Sequence, residues 1–257
     1  MLFYLRVISQ ARVPAMKSSK NFLYRNSRRV LRAKELLDVY RTLRKAFGHQ
    51  HWWPGDTPFE IVVGAILTQN TSWTNVERAI RNLKRAKKLS PQALYEISQA
   101  ELAELIRPAG YFNVKAKRLK NFMIFLFKEF GGSLGKMFPM KLDRLREMLL
   151  SVNGIGPETA DSILLYAGEK PIFVVDAYTK RIFSRHRFQV GPRAKGLYHE
   201  PELYKFDYSD WQKAFMKAIP KGVSLYNDFH AQIVHLGKHF CRSQKALCES
   251  CPLAQYL

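Results

Sequence analysis

Apolar residues recur at helical spacing along most of residues 31–167, and this periodicity restricts the fold more than any other feature. The runs begin at capping signals, such as Thr57-Pro58-Phe59-Glu60 and Ser98-x-x-Glu101, and several of them end at a glycine. Ile172-Phe173-Val174-Val175 is the only strand-like run, and four residues cannot build a sheet by themselves. The sequence therefore predicts an all-α fold with no tandem repeat.

The same pattern gives the order of the expected helices. The first runs from Leu31 to Phe47 and stops at Gly48, and the second is a buried helix from Phe59 to Leu67. We expect later helices after Ser72, Ser90 and Ser98, a long helix capped by Asn113 and stopped at Gly131-Gly132, one over residues 142–149, one after Pro157 and one over Ala177–Arg185.

The charge of the chain indicates the class of partner. Lys and Arg number 42 against 21 Asp and Glu in 257 residues, which gives a formal net charge of +21. Such an excess points to a polyanion, with nucleic acid ahead of an anionic membrane surface. The sequence contains no run of eighteen apolar residues and therefore predicts no membrane-spanning helix.

Nine of the basic residues fall within residues 1–34, which contain no acidic residue. We therefore interpret residues 1–29 as a basic N-terminal extension outside the fold, because they lack a sustained apolar period. Two alternatives stay open for this segment. Translation could start at Met16, or the segment could be a targeting peptide, since it contains Arg and Ser but no acid.

Two glycines stand two residues apart in Val152-Asn153-Gly154-Ile155-Gly156-Pro157, between two predicted helices. Glycine allows a tight turn and the close approach of a ligand to the backbone. The free N–H groups at the start of the next helix attract an anion such as a phosphate. Taken alone, the segment could also be an ordinary tight turn, and its flanking residues decide between the two interpretations.

Leu150–Ala160, followed by Val174–Arg181, resembles the helix-hairpin-helix and Gly/Pro-Asp signature of the endonuclease III superfamily of DNA glycosylases. Three more segments resemble that superfamily in the same order: Ala65–Thr71, Gly110–Ala116 and Cys241-x6-Cys248-x2-Cys251. The resemblance implies two helical lobes with a DNA-binding cleft between them. The first is a six-helix lobe over residues 57–171 that contains the hairpin, and the second combines residues 30–56 and 172–257.

The resemblance implies hydrolysis of an N-glycosidic bond in duplex DNA, with the damaged base flipped out of the stack. Asp176 matches the catalytic carboxylate, which would stabilise positive charge on the sugar and orient water, although it also stands where an N-cap is expected. Gln69 and Tyr111 occupy the positions of residues that fill the gap in the duplex. Further DNA contacts are implied for Asn70, Asn113, Lys115, Val152, Gly154, Ile155, Gly156 and Thr159.

Glu158 departs from the pattern of superfamily members that also cut the strand, because those members carry lysine at this position. A carboxylate cannot form the Schiff base on which strand cleavage depends. In the first turn of a helix, Glu158 would instead complement the helix dipole. We therefore expect a monofunctional glycosylase whose lyase activity is weak or absent.

Trp52-Trp53-Pro54, together with the Gly-Ile-Gly-Pro-Glu-Thr-Ala-Asp form of the hairpin, is similar to 3-methyladenine glycosylases of the endonuclease III type. Electron-rich rings attract alkylated purines because these bases are cationic. Trp52, Trp53, Pro54 and Glu158 are therefore the expected base pocket, although the tryptophans could simply pack helices together. Two other functions stay open: an endonuclease III-like enzyme for oxidised pyrimidines or mismatches, and a DNA-binding protein without catalysis.

Cys241, Cys248 and Cys251 match three ligands of the superfamily's 4Fe–4S loop, whose fourth ligand would be residue 257, here Leu257. Three interpretations stay open: a cluster with three thiolates and an outside ligand, a site without metal, and a chain that ends short of its last ligand. A monovalent cation on the hairpin carbonyls is also implied. We expect a monomeric, cytoplasmic, nucleoid-associated protein that binds damaged duplex DNA and no membrane.

Overall fold

The computed structural model of the protein describes residues 31–188 and 206–257, and within these ranges it contains twelve α-helices, several short 3-10 or π-helical turns and no strand. The all-α prediction is confirmed. The strand-like run 172–175 belongs to neither a helix nor a strand, and the described residues contain an isolated bridge between Cys241 and Ala246. None of the described helices combines the length and the apolar character needed to cross a membrane. The basic extension predicted for residues 1–29 lies outside the described residues.

Most of the helices are joined by short loops. In chain order they are α1 Leu36–Phe47, α2 Pro58–Leu67, α3 Trp73–Arg85, α4 Pro91–Glu96, α5 Gln99–Leu105, α6 Phe112–Phe130, α7 Leu134–Met137, α8 Leu142–Leu150, α9 Pro157–Ser162, α10 Ala177–Arg185, α11 Tyr208–Ala218 and α12 Val223–His239. Helix α9 continues directly into a π-helical turn, Ile163–Ala167. Helices α11 and α12 lie beyond those expected from the apolar pattern.

The chain divides into two compact units. The central unit contains His51–Asp176 and Pro220–His230, which include helices α2 to α9 and the first part of α12. The terminal unit contains the described residues up to Gln50, those within Ala177–Ile219, and Ala231–Leu257. Both the hairpin and Asp176 therefore belong to the central unit.

Helix α2 lies in the core of the central unit, and eight of its ten residues are buried. Thr57 caps this helix as predicted, because its hydroxyl accepts the N–H of Glu60 at 3.2 Å and Pro58 takes the first helical position. The Glu60 carboxylate, the other half of the predicted capping box, forms an ion pair with Lys84 Nζ at 2.8 Å. This pair connects the start of α2 to the last turn of α3.

The start of α6 differs from the prediction. The helix begins at Phe112, and its N-cap is Tyr111, whose φ of +45° is in the left-handed region. Asn113 was expected to cap this helix, and that prediction is wrong. The chain already turns at Gly110, where φ is +68°, and at Tyr111, so the helix starts before Asn113. The other end is as predicted, since Gly131 stops the helix with a φ of +59°.

The terminal unit has an aromatic core between α10 and α11. The rings of Phe183 and Phe215 meet edge to face with centroids 4.8 Å apart, and Phe188 and Trp211 are buried beside them. Helix α1 buries the apolar face that its periodicity predicts: Leu36, Val39 and Leu43.

A buried ion pair ties α8 to α9 in the central unit. Arg146 Nε and Nη2 donate to the two carboxylate oxygens of Asp161 at 2.7 and 3.1 Å. The Asp161 side chain is fully buried, whereas Arg146 is 25% exposed. Bidentate pairing of this kind fixes the relative position of the two helices that flank the hairpin.

We expect Arg146→Met to lower the free energy of unfolding by about 3 kcal/mol, because it leaves the Asp161 carboxylate buried without its bidentate partner. Urea unfolding at neutral pH measures the change. Arg144→Met is the matched control on the same helix, since Arg144 and Glu147 pair at 3.5 Å with both side chains mostly exposed. Equal losses of unfolding free energy in the two variants would contradict a stabilising role of the ion pair between Arg146 and Asp161.

Candidate active site

The hairpin between α8 and α9 requires glycine at residue 154. The backbone there has a φ of +95°, and a Cβ built on Gly154 would lie 2.3 Å from Arg118 Cγ of α6. Both the left-handed backbone and the contact with α6 therefore disfavour a side chain at this position. Gly156 is different, because its φ is −89° and a Cβ there would meet no atom within 4 Å. The backbone just before α9 is thus open to a ligand.

The start of α9 supplies the groups that a phosphate needs. Gly156, Pro157 and Glu158 are exposed, and the first-turn N–H groups of a helix have no acceptor within the helix. Such an end attracts anions. Val152, Ile155 and Thr159 are buried beneath this surface, so they support the hairpin from inside.

Gln69, which follows the end of α2, is hydrogen-bonded to the hairpin. Its Nε2 donates to the Gly154 carbonyl oxygen at 3.2 Å and to Thr159 Oγ1 at 2.8 Å. Arg118 Nη1 donates to the Oε1 of the same side chain. The end of α2, the hairpin and α6 are thereby joined. The role of Gln69 in filling a gap in the duplex stays a prediction.

The hairpin carbonyls also accept hydrogen bonds within the protein. The Asn153 carbonyl accepts from Asn121 Nδ2 at 3.0 Å, and the Val152 carbonyl accepts the Ile155 N–H at 3.0 Å. A carbonyl oxygen has two lone pairs, so each of these oxygens keeps one for a further ligand. The monovalent cation implied by the resemblance is compatible with these oxygens and stays a prediction.

Tyr111 is the most exposed large aromatic side chain of the described residues, at 72%. It precedes α6 in the left-handed conformation described above, and Asn113 on the next turn is also exposed. Asn70 combines the same two properties at the end of α2, with a φ of +54° and an exposed side chain. These three residues stand at the surface, where a contact with DNA requires them.

Lys115 was also predicted to contact DNA, but its side chain is only 1% exposed. Its Nζ donates to the Ala109 carbonyl oxygen at 2.7 Å. Burial, and then the charge of Arg118, lowers the pKa of Lys115 to about 8. In this structure the ammonium group therefore holds the turn that precedes α6.

Trp52 and Trp53 belong to an aromatic cluster of the central unit. The Trp53 ring centroid lies 5.3 Å from that of Trp52, 5.1 Å from that of Trp73 and 4.9 Å from that of Tyr166. Gly64 of α2 permits this packing, since a Cβ there would lie 3.3 Å from Trp53 Nε1. Trp52, Trp53 and the adjacent Pro54 are only partly buried, so the cluster is not closed inside the core.

Asp176 stands at the end of a series of polar contacts that starts in this cluster. Tyr166 Oη lies 2.5 Å from His230 Nδ1, and His230 Nε2 lies 3.5 Å from Asp176 Oδ2. Tyr166 and His230 are buried, and the Asp176 side chain is 11% exposed. The structure therefore brings the predicted tryptophans and the predicted carboxylate together through two residues that the sequence reasoning missed.

The surroundings of Tyr166 keep its phenol protonated. Burial, and then the negative charge of Asp176, raises the pKa of Tyr166 well above its usual value of 10.0. Glu158, which is exposed in the first turn of α9, adds a smaller effect of the same sign. Tyr166 is therefore a neutral phenol at physiological pH, and its O–H is available for donation.

Tyr166 and His230 were missed because neither belongs to a motif and each has apolar residues on both sides. Tyr166 belongs to the fully buried π-helical turn Ile163–Ala167, and His230 lies on α12 between buried Phe229 and Ala231. Such residues usually serve the core. Their one signal in the sequence is a titratable side chain that interrupts apolar neighbours.

The three cysteines line one pocket of the terminal unit, and Arg185 Nη1 lies 3.3 Å from Cys241 Sγ. Burial raises the pKa of the Cys251 thiol to about 12 and also raises the pKa of Cys248. Both thiols are therefore protonated at neutral pH, so a metal would have to displace their protons. The other residues that line the pocket are His186, Leu236, Phe240, Ala246, Leu247 and Leu257.

The 4Fe–4S cluster implied by the resemblance needs four thiolates. Leu257 lines the pocket with an apolar side chain at the fourth position, so the residues present supply three ligands and do not fit a four-thiolate cluster. In the described ranges, no group of three or more His, Cys, Asp or Glu residues is placed to hold a metal ion. The rings of His235 and His239 lie beside each other at an interplanar angle of 38°, with centroids 4.5 Å apart, and do not line the pocket.

Comparisons with known proteins identify the family. The family model for HhH-GPD superfamily base excision DNA repair proteins matches residues 63–200, more than half of the chain. A Methanocaldococcus jannaschii protein with the provisional name of DNA repair glycosylase is 48% identical over 220 residues. That match covers 85% of this chain and 93% of the relative.

Solved structures of DNA glycosylases are also similar to this chain. A 3-methyladenine DNA glycosylase of H. pylori, bound to 1,N6-ethenoadenine, is similar with a TM-score of 0.65 and 31% identity, over 81% of this chain and 98% of that chain. A non-covalent complex of endonuclease III with DNA has a TM-score of 0.70 over 88% of this chain and 95% of that chain. At 20% identity, this second likeness concerns the fold alone.

We expect Gly154→Ala to lower the free energy of unfolding by roughly 2 kcal/mol, because alanine is strained at this φ and meets Arg118. Gly156→Ala, in ordinary backbone with open space around it, is the control and should unfold like the parent protein. In titrations with duplex DNA both variants should bind more weakly, since Gly154→Ala distorts the hairpin and Gly156→Ala places a methyl group on its open backbone. A Gly154→Ala protein of unchanged stability would refute the steric argument.

Proposed function

Since the chain belongs to the HhH-GPD superfamily of base excision DNA repair proteins, we propose that this DNA glycosylase is monofunctional and removes alkylated purines from duplex DNA. The proposal depends on the series of contacts from Trp53 through Tyr166 and His230 to Asp176. These contacts connect an aromatic cluster to a carboxylate within the central unit, and this juxtaposition supports a site that holds a base beside the group that acts on the sugar. The likeness to a solved 3-methyladenine DNA glycosylase supports the same class of base.

Asp176 has the chemistry that the reaction needs. Breaking an N-glycosidic bond leaves positive charge on the deoxyribose ring, and a nearby carboxylate stabilises that charge. Asp176 is 11% exposed, and an interaction with its charge is stronger in such surroundings than in bulk water. The same carboxylate can orient or activate the attacking water. The hairpin would hold the DNA backbone during this step.

Glu158 supports the absence of strand cleavage. It stands at the position where strand-cleaving members of the superfamily carry the lysine that forms a Schiff base. A carboxylate cannot form an imine, and neither can the phenol of Tyr166 or the imidazole of His230. Glu158, Tyr166 and His230 therefore do not replace the missing lysine.

The aromatic cluster supports a cationic base. Purines alkylated at N3 or N7 carry positive charge, and tryptophan faces attract cations more strongly than other aromatic rings do. Trp53 Nε1 is buried and has no hydrogen-bond partner among the residues that the structure describes. An unsatisfied buried donor is costly, so an acceptor atom on a bound base would be a favourable partner for it.

The proposal is tested with duplexes that carry 7-methylguanine, 3-methyladenine, thymine glycol or uracil. We expect release of the two methylated purines, with strand breaks only after alkali treatment, because hydrolysis by Asp176 leaves the sugar in the strand. Asp176→Asn should release base at least about 100-fold more slowly in single-turnover assays. Release of thymine glycol together with strand breaks in the absence of alkali would refute the proposal and favour the endonuclease III-like alternative.

We expect Trp53→Leu to slow the single-turnover release of 7-methylguanine by about tenfold, because it removes a cation–π contact. Trp53→Phe, which retains an aromatic face, should lose less activity. Affinity for a duplex with a neutral abasic analogue is the control and should stay constant in both variants. Equal effects of leucine and phenylalanine would show that size, and not the aromatic face, is what this position requires.

A further inference from the structure

His230 connects a buried phenol to the carboxylate of Asp176. Its Nδ1 lies 2.5 Å from Tyr166 Oη, and its Nε2 lies 3.5 Å from Asp176 Oδ2. His230 and Tyr166 are 4% and 6% exposed, so water does not readily replace either contact. Both residues lie in the central unit, although they are 64 positions apart in the sequence.

The carboxylate of Asp176 favours one arrangement of protons on the imidazole. A neutral imidazole with its proton on Nδ1 would turn the Nε2 lone pair toward Asp176 Oδ2, whereas a proton on Nε2 faces that carboxylate and leaves Nδ1 to accept the O–H of Tyr166. A doubly protonated imidazole carries a proton on Nε2 as well. In either state, an N–H group and not a lone pair faces the carboxylate of Asp176.

The contact with Asp176 is at the outer limit of a hydrogen bond. At 3.5 Å, His230 Nε2 forms no geometrically good hydrogen bond with any described residue, and it is buried. Hydrogen bonds of catalytic groups are often long in the free enzyme and shorten when substrate is bound. A small rotation of the Asp176 side chain would therefore give this N–H group its acceptor.

We propose that His230 is a positioning residue for Asp176, and that Tyr166 holds His230 in the state that does this. The inference depends on the proposed function, because it assumes that Asp176 acts on the sugar. With substrate bound, His230 Nε2 donates to Asp176 Oδ2 and fixes the plane of the carboxylate. A carboxylate held in a different plane would stabilise the sugar cation less well.

The test uses two substitutions at His230 and one at Tyr166 in the full-length chain. His230→Leu removes the donor and introduces an apolar side chain of similar size. His230→Gln retains an N–H donor with comparable reach. Tyr166→Phe removes only the phenolic oxygen. Thermal unfolding is recorded for each variant, and all assays are run at a temperature where every variant is folded.

We expect His230→Leu to slow single-turnover base release by roughly 10- to 100-fold, as a misplaced catalytic group does. His230→Gln should recover much of that loss, and Tyr166→Phe should have an intermediate effect. Combining Tyr166→Phe with His230→Leu should cause no further loss, because the two side chains act through one contact. Equal rates for His230→Leu and His230→Gln, or a wild-type rate for His230→Leu, would refute the proposal.

A binding measurement tests the positioning without catalysis. A duplex with a cationic pyrrolidine abasic analogue imitates the charge of the sugar, and a duplex with a neutral tetrahydrofuran analogue is its control. His230→Leu should reduce the preference for the cationic analogue and leave affinity for the neutral one unchanged. If Asp176→Asn retains full base release, the proposed function fails, and this inference fails with it. If only the His230 variants behave like the parent protein, the positioning role alone is refuted.

Discussion

The close approach at Gly154 is the constraint on which the hairpin side of the central unit depends. Because residue 154 has no side chain, the hairpin lies against Arg118 of α6. Arg118 also donates to Gln69 at the end of α2, and Gln69 in turn donates to the Gly154 carbonyl oxygen. These contacts form a closed set, so a side chain at residue 154 would disturb three segments at once. The surface proposed to hold DNA therefore depends on this close approach together with the hydrogen bonds that Gln69 and Asn121 donate to the hairpin.

The hairpin and the Asp176 network share one continuous helical segment. Helix α9 starts at the hairpin, and its π-helical continuation carries Tyr166 ten positions after Gly156. The ion pair between Arg146 and Asp161 anchors the middle of this segment to α8. A π-helical turn changes the direction of the side chains that follow relative to a regular α-helix. In the proposed function, both the binding of the DNA backbone and the orientation of Asp176 thus depend on α9 and its π-helical continuation.

Signals that act over three or four residues were sufficient to predict most of the helices. The hydroxyl groups of Ser90 and Ser98 cap α4 and α5 as expected. The start of α6 could not be predicted in this way, because it depends on the left-handed backbone of Tyr111. The motif resemblance located the hairpin and Asp176. The contact between Tyr166 and His230 could not be predicted, because it depends on how α12 packs against the π-helical turn. Roles assigned to individual site residues stay predictions.

A cationic base poses an electrostatic problem for a chain with a net charge of +21. The positive field that attracts DNA would repel such a base from the protein unless the pocket is locally negative. Burial is the main cause of the raised pKa of Tyr166, and the negative charges of Asp176 and Glu158 add to it, so these two carboxylates supply local negative charge at the aromatic cluster. A potential that disfavours a phenolate favours a cation at the same place. An alkylated purine also leaves readily because it is already charged, so one carboxylate, oriented by His230 and Tyr166, is sufficient for the proposed reaction.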